Sequence, residues 1–245
     1  MHSTNLATAP LHEVNYQPKV FDLSKKTLRE FNQALHEVKD AAGEPNWEVI
    51  NPKGSHAVAV GAEHPISIDV QGSVGYYCGG MNQNATITVH GSAGPGVGEN
   101  MMSGTIVVKG DASQYAGATG RGGLLVIEGN ASSRCGISMK GINIVVRGNI
   151  GHMSAFMAQS GNLVVLGDAG DALGDSIYEA RLFVRGSVKS LGADCIKKEM
   201  RPEHIAILKD LLERAGIADV KPEEFTRYGS ARTLYNFNID NADAY

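Results

Sequence analysis

Cysteine is scarce. The 245 residues include three, Cys78, Cys135 and Cys195, an odd set with no CxxC spacing. That excludes a disulfide framework and a thiolate metal cluster. An excess of positive charge is also missing, since 22 basic and 26 acidic residues leave a formal net charge of -4. The basic stripe that nucleic acid or an anionic membrane demands is therefore absent. No stretch approaches the roughly 20 apolar residues of a membrane span. The opening MHSTNLATAPLHEVNYQPKV shows no basic region followed by an apolar run, so no secretory leader is read there. Together these absences predict a soluble, cytoplasmic chain, long enough for one large domain or two small ones.

Glycine is abundant, and it is periodic. It closes a β-type run at Gly72, Gly91, Gly110, Gly129, Gly148, Gly167 and Gly186, each 19 residues after the last with no insertion. Four and two residues before each of these glycines stand two aliphatic side chains, from Ile68 and Val70 through to Leu182 and Val184. Seven residues after each come Gly79, Gly98, Gly117, Gly136, Ala155, Gly174 and Ala193, a position that accepts only glycine or alanine.

A fixed period of this length marks a repeat architecture. Alternation puts both aliphatic residues on one face of a short strand. Stacking each strand on its equivalent at about 4.8 Å then gives a rod about 34 Å long for seven coils. The fold predicted is all-β, a single-stranded parallel right-handed β-helix of about seven 19-residue coils, capped by helices at both ends. The terminal glycines fit a corner whose dihedrals forbid a β-carbon. The Gly/Ala positions fit a tight interior site facing the opposite wall. Residues before the corner, among them Lys109, Glu128 and Arg147, read as a solvent face with charges alternating up the stack. Cys78 and Cys135 share a column three coils apart, roughly 14 Å at the stacking distance, which reads as two buried thiols out of disulfide reach.

Four regions follow. Residues 1–60 form an N-terminal extension holding an amphipathic helix over 24–42, with Leu28, Phe31, Leu35 and Val38 at helical spacing after a candidate N-cap at Ser24. The β-helix occupies 61–200. A capping helix spans 201–216, with Pro202 at its start and Gly216 at its stop. Residues 217–245 form an extended tail bearing Phe225, Tyr228, Leu234, Tyr235, Phe237 and Tyr245. Solenoid ends expose unpaired edges, so a cover at each end is expected.

Chemistry finds little support. GSAGPGVGEN, residues 91–100, looks like a dinucleotide fingerprint, but that motif needs a following helix whose amides hold the phosphates, and here a strand comes next. The acidic turn with Asp168, Asp171 and Asp175 is one turn in seven and builds no calcium ladder. The eight histidines never pair with a third metal ligand. A Ser/His/Asp or Cys/His set assembled across the fold stays open, with no residue nominating one. Carbohydrate hydrolysis needs paired carboxylates on one wall, and the acidic residues are scattered.

The ladder VHGSAGPGVG, VKGDASQYAG, IEGNASSRCG, VRGNIGHMSA resembles the C-terminal β-helix domain of the glutamate synthase large subunit, the GXGXG family, over roughly residues 55–200. The resemblance implies a non-catalytic domain that braces an amidotransferase domain against an FMN-containing synthase barrel, between which ammonia passes. It carries over structural glycines alone: Gly72, Gly91, Gly94, Gly96, Gly98, Gly110, Gly117, Gly129, Gly136, Gly148, Gly167, Gly174 and Gly186. No catalytic, cofactor-binding or metal-binding residue is implied on this chain; His2 stands where the amidotransferase pattern has cysteine. FMN, and with it an iron–sulfur cluster in some members, is expected on a partner. A stand-alone copy of this length is similar to the β-helix subunit of N-methylglutamate synthase, which makes N-methylglutamate from methylamine and glutamate. The partners implied are an FMN-containing synthase subunit and a class II amidotransferase-like subunit, in a hetero-oligomer. Alternatives are the separated subunit of a true glutamate synthase, a subunit of formylmethanofuran dehydrogenase, and a stand-alone carbohydrate-acting β-helix enzyme.

Overall fold

The computed structural model describes residues 17–39 and 46–232. Nine strands run parallel in one sheet: β1 (Lys19–Asp22), β2 (Trp47–Ile50), β3 (Ser67–Gln71), β4 (Thr86–Val89), β5 (Thr105–Val108), β6 (Leu124–Ile127), β7 (Lys140–Val146), β8 (Ser160–Val165) and β9 (Arg181–Val184). From β3 to β9 the register repeats the sequence period: Ile68 faces Ile87, Ile87 faces Ile106, and the line continues to Leu182. A second line of single bridges, Val74, Ala93, Ala112, Ala131, Ile150, Ala169 and Val188, forms the next wall of each coil. The fold is a parallel β-helix of about seven turns. Its two aliphatic rows are buried to 0–1% exposure, and each such side chain contributes about 1.5–3 kcal/mol.

The two glycine positions are required for reasons opposite to those read from sequence. At the corner, Gly72 alone has a left-handed φ, +140°; the other six are excluded from carrying a β-carbon by what lies beneath them. An added β-carbon at Gly148 would stand 2.5 Å from Asn130 Oδ1 and 2.7 Å from the Gly129 carbonyl oxygen. The left-handed residues lie in the later position instead: Gly79, Gly98, Gly117, Gly136, Ala155 and Gly174 all have φ between +57° and +70°. Alanine is tolerated at 155 because a left-handed residue with a single methyl costs only about 1–2 kcal/mol. Ala193 stands outside the series, because the last coil is one residue short and Leu173 bridges to Leu191. In the motif Gly94-Pro95-Gly96-Val97-Gly98, the first glycine is pressed against the backbone of Gly75 and the other two are left-handed.

What lies beneath the corner is a side-chain ladder that the sequence reading missed. The residues after the first six corner glycines, Ser73, Ser92, Asp111, Asn130, Asn149 and Asp168, each accept through a side-chain oxygen from the amide of the equivalent residue one coil on, at 2.7–3.2 Å, and Ser187 ends the ladder as a donor. The signal was available, since this position is Ser, Asp or Asn in all seven coils.

The ends differ from expectation. The first helix, α1 (Leu28–His36), starts at Thr27 instead of Ser24, because Thr27 and Glu30 form a reciprocal capping box. Ser24 donates to Asp22 in the turn before it. Residues 40–42 of the expected helix lie outside the described residues. α1 closes the open core: Phe31 and Leu35 are buried beside Phe21 and Trp47, whose rings stack at 5.0 Å. Asn32 extends the backbone hydrogen bonding of the turns, donating to the Ala57 carbonyl and accepting from the Ala59 amide.

At the other end the helix α2 (Pro202–Arg214) does not cap the last coil; it lies along the outer face of the sheet. The outward row that starts with Asp69 and Thr88 turns apolar at Val107 and continues as Val126, Val145, Val164 and Phe183, with Leu124 beside it. Leu208, Leu211 and Leu212 cover that strip. Within the expected extended tail, residues 217–232 pack on the rod. After a 3₁₀ turn at Pro222–Glu224, strand β11 (Thr226–Ser230) inserts antiparallel between β9 and β10 (Cys195–Lys198). This reversed pair ends the parallel ladder. Phe225 and Tyr228 pack on the protein's own core, whereas Leu234, Tyr235, Phe237 and Tyr245 lie outside the described residues.

Gly117 and Gly136 share a backbone conformation but differ in space. A β-carbon at 117 would meet Ile144 Cδ1 at 2.5 Å, whereas at 136 the nearest atom is 3.3 Å away. Gly117→Ala is therefore expected to destabilise the chain by about 1–3 kcal/mol more than Gly136→Ala, the overpacking difference, read from urea-unfolding midpoints. Equal losses would contradict the stacked interior.

Candidate partner interface

The three thiols and the acidic turn are committed to structure. Cys78 and Cys135 are free, fully buried, and pushed up to about 12 by burial; Cys195 is likewise raised to about 11. A thiol held protonated in this way is a poor nucleophile. The acidic turn is spent on local bonds. Asp168 accepts from the Ser187 amide and hydroxyl, Asp171 pairs with Lys189 at 2.7 Å, and Asp175 accepts from the Ser176 hydroxyl and the Ala193 amide. Among the described residues no group of His, Cys, Asp and Glu is placed to hold a metal ion. No helix there is long and apolar enough to cross a membrane.

The solvent wall before the corner carries one expected charge contact and one that differs. Lys109 and Glu128 pair at 2.7 Å, an exposed contact worth about 0–1 kcal/mol. Arg147 does not continue the alternation. Its Nη2 donates to the Gly216 carbonyl at 3.1 Å, so a cation closes the C-terminal end of α2 and ties it to the rod.

The unexplained surface is apolar and lies on the turn side. Tyr76, Tyr77, Met81, Met102, Met157 and Tyr178 are each 41–51% exposed. They follow from the repeat: Met81 and Met157 occupy one column, and Met102 and Tyr178 another, each pair 76 residues apart. That is four coils, or about 19 Å. Tyr77 stands in left-handed backbone at φ 60°, which turns its ring outward. Tyr76 is steadied by an edge contact with His56 at 4.7 Å, and His56 Nδ1 accepts from the Tyr76 amide. At the far end Met157, Gln159, Ser160, Tyr178 and Glu179 line a shallow depression of about 380 Å³. Arg232 lies over the Tyr178 ring at 5.1 Å and pairs with Asp194. Methionine, tyrosine and arginine are the residues enriched where proteins meet. The sequence reading, which followed the columns that point inward, named none of these residues.

Glycine-packed corners on a parallel β-helix define the class of protein, and the comparisons give its family. The family model described as the GXGXG motif matches residues 54–221, and the chain belongs to this family. Protein GlxC of Rhizobium meliloti (strain 1021) is 74% identical over 226 residues, covering 92% of this chain and 99% of that protein. A chain in the X-ray crystal structure of the formyltransferase/hydrolase complex (FhcABCD) from Methylorubrum extorquens, in complex with methylofuran, shares the fold with a TM-score of 0.64 at 25% identity. That match covers 82% of this chain and 86% of the other.

Hydrogen bonds from the Ser187 amide and hydroxyl hold the Asp168 carboxyl below its usual range. A depressed carboxyl contributes stability above its unfolded pKa, and that contribution is lost as pH falls through the folded value. Wild type should therefore lose stability below about pH 4 more steeply than Asp168→Asn, measured as urea midpoints against pH. Parallel acid limbs would show that the ladder oxygen at 168 is not a stabilising acceptor.

Proposed function

We propose that this chain is a non-catalytic subunit of a glutamate-synthase-like multi-subunit enzyme, bridging a class II amidotransferase-like subunit and an FMN-binding synthase subunit. Within that class the reading favoured is N-methylglutamate synthase, in which methylamine and glutamate give N-methylglutamate and ammonia. The observation that carries it is the exposed methionine–tyrosine row on a chain of the GXGXG family whose thiols and acidic turn are all committed to the fold. Two columns repeated four coils apart suit a spacer touching partners at separate points along one side. FMN belongs on the synthase subunit in this reading.

A second reading is a subunit of a formyltransferase/hydrolase-type complex, favoured by the match to a chain of FhcABCD over most of both lengths. A stand-alone carbohydrate-acting enzyme has no such support. Co-expression decides between the first two. A stable complex with the FMN barrel and the amidotransferase-like subunit, showing a flavin band and methylamine-dependent turnover that the purified chain lacks, supports the first reading. Capture by formyltransferase subunits supports the second, and an active monomer overturns both.

Within that complex, a charge placed under a desolvated contact is costly. Met157→Glu and Tyr178→Glu are each expected to weaken association by about 2 kcal/mol, roughly 30-fold, while the thermal transition of the isolated chain stays in place. Unchanged affinity for both would move the interface to another face.

A further inference from the structure

The outer face of the sheet near the start of α2 gathers positive charge out of proportion to its surroundings. Arg181 on β9, Lys198 on β10 and Arg227 on β11 share this face, since Arg227 stands opposite both Phe183 and Lys198. Arg201 is the residue that precedes α2, and His204 lies in its first turn. Arg227 is 6% exposed and His204 4%. Burying a guanidinium is expensive unless an anion meets it.

The partners on hand do not supply one. Arg227 Nη1 donates to the Glu199 carbonyl at 3.0 Å, while its Nε, like that of Arg181, is buried with no hydrogen-bond partner. Lys198 is spent on the Ser230 carbonyl. The two nearby carboxylates, Glu199 and Glu203, approach Arg201, at 3.5 and 3.9 Å. Four cations thus face two carboxylates, and both carboxylates lie outward. Burial and then the neighbouring cations lower the pKa of Arg227, Lys198 and His204, with Glu203 acting in the opposite direction on Arg227 and His204. His204 Nδ1 accepts from the Arg201 amide, which leaves the ring proton of the neutral form on Nε2. The positive end of the α2 dipole adds to the field.

We infer that Arg181 and Arg227, with the start of α2, form a binding site for a small oxyanion of the phosphate or carboxylate class. A guanidinium fork matches the two oxygens of such a group. The low exposure of Arg227, 6%, favours a small anion over the flat surface of a nucleic acid or a protein. The site lies on the helix-covered face, apart from the methionine–tyrosine row, and does not depend on the partner reading.

Thermal unfolding of the full chain tests it, with inorganic phosphate or glutarate titrated against sodium chloride at constant ionic strength. At saturation one of the two anions should raise the wild-type Tm by about 5–10 °C, with calorimetry giving one site per chain. Arg181→Gln, a half-buried position, should abolish most of this shift, while Lys109→Gln, remote from the cluster, should keep it. Arg227→Met should fold without added anion and respond to neither. Neither anion exceeding chloride in wild type, or an equal response in wild type and Arg181→Gln, would overturn the site.

Discussion

Backbone hydrogen bonding between coils is the constraint on which everything else in this molecule rests. Outside the short strands, the turn amides reach both neighbours: Tyr77 donates forward to Pro95, Gly79 back to Val58, and Met81 forward to Glu99. The same alternation recurs at Gly96, Gly98 and Asn100. A buried amide without a partner costs about 1–3 kcal/mol, so a coil that slipped by one residue would orphan several amides at once. This is why the 19-residue period runs unbroken from Gly72 to Gly186, and why the ends need special parts.

Those ends show two solutions to one problem. At the start, α1 drops Phe31 and Leu35 into the open core while Asn32 imitates a peptide group by donating to and accepting from the turn backbone. At the finish, the antiparallel strand β11 reverses the hydrogen-bonding direction, and β10 then forms the edge, with Lys197 and Lys198 on it. Charged, short edges resist pairing with other chains. α2 is free to do something else, and it covers the one strip of outer sheet that turned apolar.

Much of this was legible because the inward columns repeat without exception. The aliphatic pairs from Ile68 and Val70 to Leu182 and Val184 gave the coil number, the strand positions and the core. The reasons for glycine were not separable from a list of residues, since a left-handed φ and a close approach both select against a β-carbon. Only Ala155, an L-residue in left-handed backbone, distinguishes the positions in retrospect. The Ser/Asp/Asn ladder was readable in the same alignment of repeats and went unseen beside the louder glycine. The place of α2 was encoded in the switch from Thr88 to Val107, Val126, Val145, Val164 and Phe183 on the outward side. β11 could not be read, because Thr226–Ser230 acquires its pairing from strands more than 25 residues away. The methionine–tyrosine row lies in columns with no fixed residue type, so periodicity alone does not reveal it.

The left-handed turn residues carry a consequence for association. Tyr77, Tyr115, Arg134 and Met153 occupy equivalent places with φ between 53° and 63°, a conformation that an isolated peptide would abandon. Here each is held by coils on either side, so the backbone beneath the exposed tyrosines and methionines has already surrendered its freedom before any partner arrives. Fixing a loop at the moment of docking subtracts from affinity. A surface mounted on clamped turns avoids most of that loss, and a small contact area can then hold a partner that a pliable surface of the same composition would release.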